Sequence, residues 1–191
     1  MATHIALLRG INLAGHNKVA MADLRQLVSS LGHNDVATYI QSGNVVFSSK
    51  QADTAALAGD LEEAIAAELG LQIRVVVISR EELAQVMRDN PYSDEPNPKM
   101  VHAVFLTGKP GPDLDERLDE ARKRAAQKQP DNRDTAQVIG QTIFLHTPDG
   151  YGRSELAGQI VQAAAKGKAG GVAGTARNWA TVTKLLAMCD A

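Results

Sequence analysis

Residues 37–49 read ATYIQSGNVVFSS. β-Branched and aromatic residues on both sides of Ser42-Gly43 mark two short strands joined by a tight turn. Upstream, HIALL at 4–8 reads as a buried strand. A helix follows from Met21, with Leu24, Leu27, Val28 and Leu31 at helical spacing and Gly32 as its stop. Downstream, a helix over 53–69 repeats Leu57, Leu61, Ile65 and Leu69 four apart, and IRVVVI at 73–78 reads as another strand. The order is βαββαβ.

Ser79 with Glu82 three residues on is a capping-box pair, and it opens a third helix that ends before Pro91. Three prolines in NPYSDEPNPK at 90–99 mark a boundary between halves. The pattern then restarts: VHAVFLT as a strand, a helix over 112–128, TAQVIG and TIFLHT as paired strands, and a helix over 154–165. The second hairpin, AQVIGQTIFLHTP at 136–148, resembles the first. A last helix is expected from Ala176 to Cys189, with Thr175 as its N-cap and no closing strand before it. The fold class is therefore α+β: two ferredoxin-like (split βαβ) subdomains, 1–90 and 91–191, with antiparallel sheets and a C-terminal helix.

Composition narrows the function. Of 191 residues, 20 are Lys or Arg and 22 Asp or Glu, for a net charge of −2. Duplex binders draw affinity from a basic excess, so nucleic acid is disfavoured as a partner and only a local basic patch stays open. One cysteine, Cys189, excludes an internal disulfide and fits a reducing, cytoplasmic setting. No apolar run approaches the roughly 20 residues that span a bilayer, so no membrane partner is expected. The five histidines show no metal-ligand spacing, no cofactor motif is present, and no complete nucleophile or acid–base set is visible. His16 alone lies in a loop, where a general-base role is a minor alternative.

Four polar pieces stand out. RGINLAGHNK at 9–18 ends a buried strand on Arg9 and offers Asn12 and Lys18. QSGN at 41–44 presents Ser42 and Asn44 at a hairpin tip. DGYGRSE at 149–155 carries Arg153 beside Ser154 at a helix start. In ARNWATVTKLLAMC at 176–189, Arg177, Thr181 and Lys184 form a cationic stripe at the expected helix start, opposite an apolar face through Trp179. GKAGGVAGT at 167–175 has the glycines of a phosphate loop but no leading strand, and reads first as a linker. The charge-rich LDERLDEARKRAAQK at 114–128 reads as a solvated face.

LLRGINLAGHNKVAM, TYIQSGNVVF, DGYGRSE and TARNWATVTKL together resemble the bacterial family catalogued as domain of unknown function 1697. This chain departs from the family pattern at Ala14, Ala20 and Glu155. The resemblance implies two ferredoxin-like subdomains and no established activity or cofactor. It also implies a polar, loop-borne signature: Arg9, Gly10, Asn12, Lys18, Gln41, Ser42, Gly43, Asn44, Arg153, Ser154, Arg177, Asn178 and Lys184. The expectation is a site for an anionic, phosphate- or carboxylate-bearing small ligand, built from Arg9, Asn12, Lys18, Ser42, Asn44, Arg153, Arg177 and Lys184. An RNA- or single-strand-binding module and a structural or partner-binding protein stay open as alternatives.

Overall fold

A computed structural model describes residues 1–13, 15–167 and 171–191. Ala14, and 168–170 within the glycine-rich GKAGGVAGT, lie outside the described residues. The chain divides into two compact units, one of Met1–Gln85 with Thr183–Ala191 and one of Val86–Val182.

In the first unit β1 (His4–Leu8) lies between β3 (Asn44–Ser48) and β4 (Val75–Ser79), and β2 (Asn34–Tyr39) pairs with the free side of β3. Every pairing is antiparallel, with Ala6 opposite both Val45 and Val77. Side chains alternate across a strand, so Ala6, Leu8, Val45, Phe47, Val75 and Val77 share one face. They pack there against Leu24, Leu27 and Val28 of α1 (Met21–Ser30) and Leu57, Leu61 and Ile65 of α2 (Thr54–Leu69). The other face is buried as well, and for this reason HIALL shows no period of two.

Helix boundaries follow local chemistry. Asp53 caps α2 by accepting from the amides of Ala55 and Ala56, and Gly70 ends it with φ 66°. The capping box forms as expected: Glu82 N–H donates to Ser79 Oγ at 3.1 Å, and Ser79 N–H donates to Glu82 Oε2 at 2.7 Å, at the start of α3 (Arg80–Arg88).

The second unit repeats the first. Its strands β5 (Val101–Leu106), β6 (Thr135–Ile139), β7 (Thr142–His146) and β8 (Gly174–Asn178) run in the order β6-β7-β5-β8, the counterpart of β2-β3-β1-β4. Helices α4 (Leu114–Lys128) and α5 (Glu155–Ala165) cover the face that carries Val104, Ile143 and Leu145, which form one apolar core with Leu118 and Ile160.

Strand β8 corrects the sequence reading. GTARN closes the sheet beside β5, with Arg177 opposite Ala103, and α6 (Trp179–Cys189) begins only at Trp179. Thr175 is therefore a strand residue; Asn178 takes the capping position instead, its Oδ1 accepting from Thr181 N–H at 2.8 Å. Both units thus show the complete split βαβ order. The close approach at Gly174 explains its residue type, since a Cβ there would lie 2.7 Å from the Phe105 carbonyl oxygen.

Candidate functional site

The connection from β1 to α1 is a closed loop. Asn12 N–H donates to the Asn17 carbonyl at 3.1 Å, His16 N–H to Leu13 O at 2.8 Å, and Asn17 Nδ2 to Gly10 O at 3.0 Å. The last bond sets Arg9 and Lys18, nine positions apart in sequence, on either side of one contact. Asn12 and Asn17 adopt φ of 53° and 47°, a region that asparagine tolerates better than most residues.

A second set of bonds fixes this loop to the β2–β3 turn. Asn12 Nδ2 donates to Gln41 O at 2.9 Å and to Val19 O at 3.0 Å, while its Oδ1 accepts from Val19 N–H at 3.0 Å. Leu8 N–H donates to Gly43 O at 2.8 Å. A side chain has no room at Gly43: φ is 75°, and a Cβ would sit 2.7 Å from both Leu8 Cβ and Ile11 Cδ1. Asn44, fully buried, donates through Nδ2 to Tyr39 O at 3.0 Å and Ser42 Oγ at 2.9 Å.

These contacts engage several of the expected ligand donors within the protein itself. Asn12, Ser42 and Asn44 are brought together with Arg9 and Lys18, but their polar atoms bind the protein's own loops. Arg9 is half-buried, and Lys18, His16 and Gln41 are exposed. Among the described residues no ion pair engages Arg9 or Lys18, and neither 9–20 nor 39–44 contains an acidic residue. The resulting platform is basic and tied to its neighbours by side-chain-to-backbone bonds. Ile40, beside it, holds φ 50° although β-branched, and sequence offers no signal for that.

The other expected residues lie elsewhere. Lys184 is exposed on α6, in the part of that helix belonging to the first unit. Six residues on, Asp190 accepts from Arg80 Nε at 2.6 Å. Arg80 follows Ser79, which pairs with His4, so this contact lies at the end of the sheet away from Arg9. Arg153 and Arg177 belong to the second unit. Arg153 is exposed and lines a cavity of about 360 Å³ with Asp131, Asp134 and Asp149. Arg133 pairs with Asp149 and holds its carboxyl below the usual range, with Arg153 contributing. Ser154 caps α5, accepting from Ala157 N–H at 2.9 Å.

Arg177 is not on a helical stripe. It sits in β8, 8% exposed, where Nη1 donates to Thr175 Oγ1 at 2.7 Å and to the Ala176 carbonyl at 2.9 Å. Desolvation lowers its pKa to about 10, against a favourable field from Tyr151. Tyr151 stacks on His102 with centroids 3.8 Å apart. Burial brings the His102 imidazole down to about 4, and its Nδ1 is enclosed without a hydrogen-bond partner among the described residues. Among those residues no group of three His, Cys, Asp or Glu could hold a metal, and no helix is long and apolar enough to cross a membrane.

The family described as protein of unknown function (DUF1697) matches residues 1–139, and the chain belongs to it. That span contains the whole Arg9–Lys18 platform and ends before Arg153, Arg177 and Lys184. The conserved bacterial protein SP0830 from Streptococcus pneumoniae is similar in structure, with a TM-score of 0.70 at 25% identity over 98% of each chain. No curated protein matches the sequence.

Proposed function

We propose that the platform at the C-terminal end of β1 binds an anionic group, with Arg9 and Lys18 as its cations. The observation that supports this reading most is the Asn17–Gly10 bond, which joins the chain neighbours of Lys18 and Arg9 within a loop whose own residues, like those of 39–44, include no acid. A guanidinium offers a planar fork to phosphate or carboxylate oxygens, and an ammonium adds a mobile point charge. Loop order fixed in advance lowers the entropy lost on binding. Each charge-assisted bond contributes about 1.5–3 kcal/mol, which places a small anion in the millimolar to micromolar range.

The test is thermal denaturation with inorganic phosphate, pyrophosphate and citrate. At a concentration near 100 Kd a bound anion adds about 2.7 kcal/mol to stability and raises Tm. An Arg9→Gln, Lys18→Gln double variant should unfold as the parent does without ligand and lose the shift. No shift in the parent, or an equal shift in the variant, rejects the proposal.

A further inference from the structure

We infer that the anion recognised at this platform is carried by a partner protein, whose Asp or Glu carboxylates rim an apolar pocket that receives Leu13 and Ile40; the inference rests on the anion-binding reading above. Leu13 is 62% exposed and Ile40 50% exposed, two of the four large hydrophobic residues exposed among the described ones. Both flank the bond that locks the platform: Leu13 follows Asn12, Ile40 precedes Gln41, and Asn12 Nδ2 donates to Gln41 O. Two aliphatic tips therefore stand on one rigid support next to two cations. A tip that must otherwise be ordered on docking is already in place, which favours a specific pocket over loose adhesion.

Charge and residue type select the partner. Segments 9–20 and 39–44 carry Arg9 and Lys18 and no acid, and the nearby Glu62 is already paired with Arg74, so the platform complements an acidic rim. Single-stranded nucleic acid is bound on aromatic stacking surfaces, whereas 9–20 and 39–44 contain no Phe or Trp, their rings are the exposed His16 and the half-buried Tyr39, and the most exposed apolar side chains there are aliphatic. Anionic membranes attract clusters of about 4–8 Lys or Arg with Trp or Tyr at the interface, whereas this platform offers Arg9 and Lys18. An apolar pocket with carboxylates at its edge uses both features present.

The test compares fluorescence anisotropy of two labelled peptides, one rich in glutamate with interspersed leucines and one with serine at each leucine position. The leucine peptide should bind at least tenfold more tightly, the equivalent of about 1.4 kcal/mol. A Leu13→Ser, Ile40→Asn variant, shown folded by circular dichroism, should lose that preference while keeping the phosphate-induced Tm shift. The Arg9→Gln, Lys18→Gln variant should lose both. Equal affinity for the two peptides, an unchanged preference in the Leu13/Ile40 variant, or tighter binding of oligouridylate or phosphatidylglycerol vesicles overturns the inference. Loss of the phosphate shift in the parent rejects the underlying anion site instead, so the two failures are told apart.

Discussion

Replacement of Asn12 tests whether this residue is a clamp and not a ligand donor. Its side chain makes three hydrogen bonds, two as donor and one as acceptor, and its backbone lies at φ 53°. A protein hydrogen bond contributes about 1 kcal/mol net, so removing the side chain costs about 2–3 kcal/mol. Alanine pays a further 1 kcal/mol or so for the left-handed conformation, which glycine adopts freely. Asn12→Ala should therefore lose about 3–4 kcal/mol in urea unfolding, and Asn12→Gly about 1 kcal/mol less. For a chain of this size that is a fall in Tm of roughly 6–16 °C for alanine. Amide exchange should accelerate most across 10–19 and 40–44, the segments that Asn12 joins. If alanine and glycine variants both stay within about 0.5 kcal/mol of the parent, the clamp argument is wrong.

Gly43→Ala should destabilise by about 2 kcal/mol or more in the same assay, because the new methyl meets Leu8 and Ile11 at an unfavourable φ; normal stability would refute this. Ile40→Asn should be nearly neutral, since about 1 kcal/mol of lost aliphatic burial is offset by relief of a left-handed β-branched residue; a loss above about 1.5 kcal/mol would show that Ile40 packs as core. Burial keeps His102 neutral in the folded state down to about pH 4, whereas the unfolded chain protonates near 6.5. The unfolded state binds more protons in that window, so stability is intact above 6.5 and falls by roughly 3 kcal/mol on acidification to 4. His102→Phe, which retains the ring against Tyr151, should flatten this dependence; an unchanged pH profile would contradict it. Cys189 is buried with its thiol pushed up to about 11, so the native protein should react with a thiol reagent at pH 8 only as fast as the C-terminal helix opens.

Most elements were legible because their apolar residues keep one period: Leu24, Leu27 and Val28 for a helix, and the β-branched hairpin at 37–49 for strands. Strand β8 was not. Its two buried side chains besides Gly174 are Thr175 and Arg177, so its alternation appears as polar against small, inverting the usual signal. The helical period of Trp179, Val182, Leu185 and Cys189 could also be extended backward over Ala176 without conflict. A closing strand could have been found by symmetry, because the first unit ends its second helix with β4. The platform was legible as composition but not as mechanism. Asn12, Ser42 and Asn44 were read as outward donors, and nothing in residue type distinguishes an asparagine that holds a ligand from one that holds a carbonyl seven or 29 positions away.

The return of residues 183–191 to the first unit has a consequence for biosynthesis. A nascent chain that has exposed Met1–Gln85 has every strand of its first sheet, yet lacks the segment that carries Leu185, Cys189 and Asp190. Ribosomes add about 5–20 residues per second, so that segment is synthesised on the order of 5–20 s later, after the whole of the second sheet. The first half must persist meanwhile with its last contacts unmade, and Arg80 has no Asp190 to receive it. The last contacts of the N-terminal unit, the pairing of Arg80 with Asp190 among them, therefore form only after the whole second unit has been synthesised.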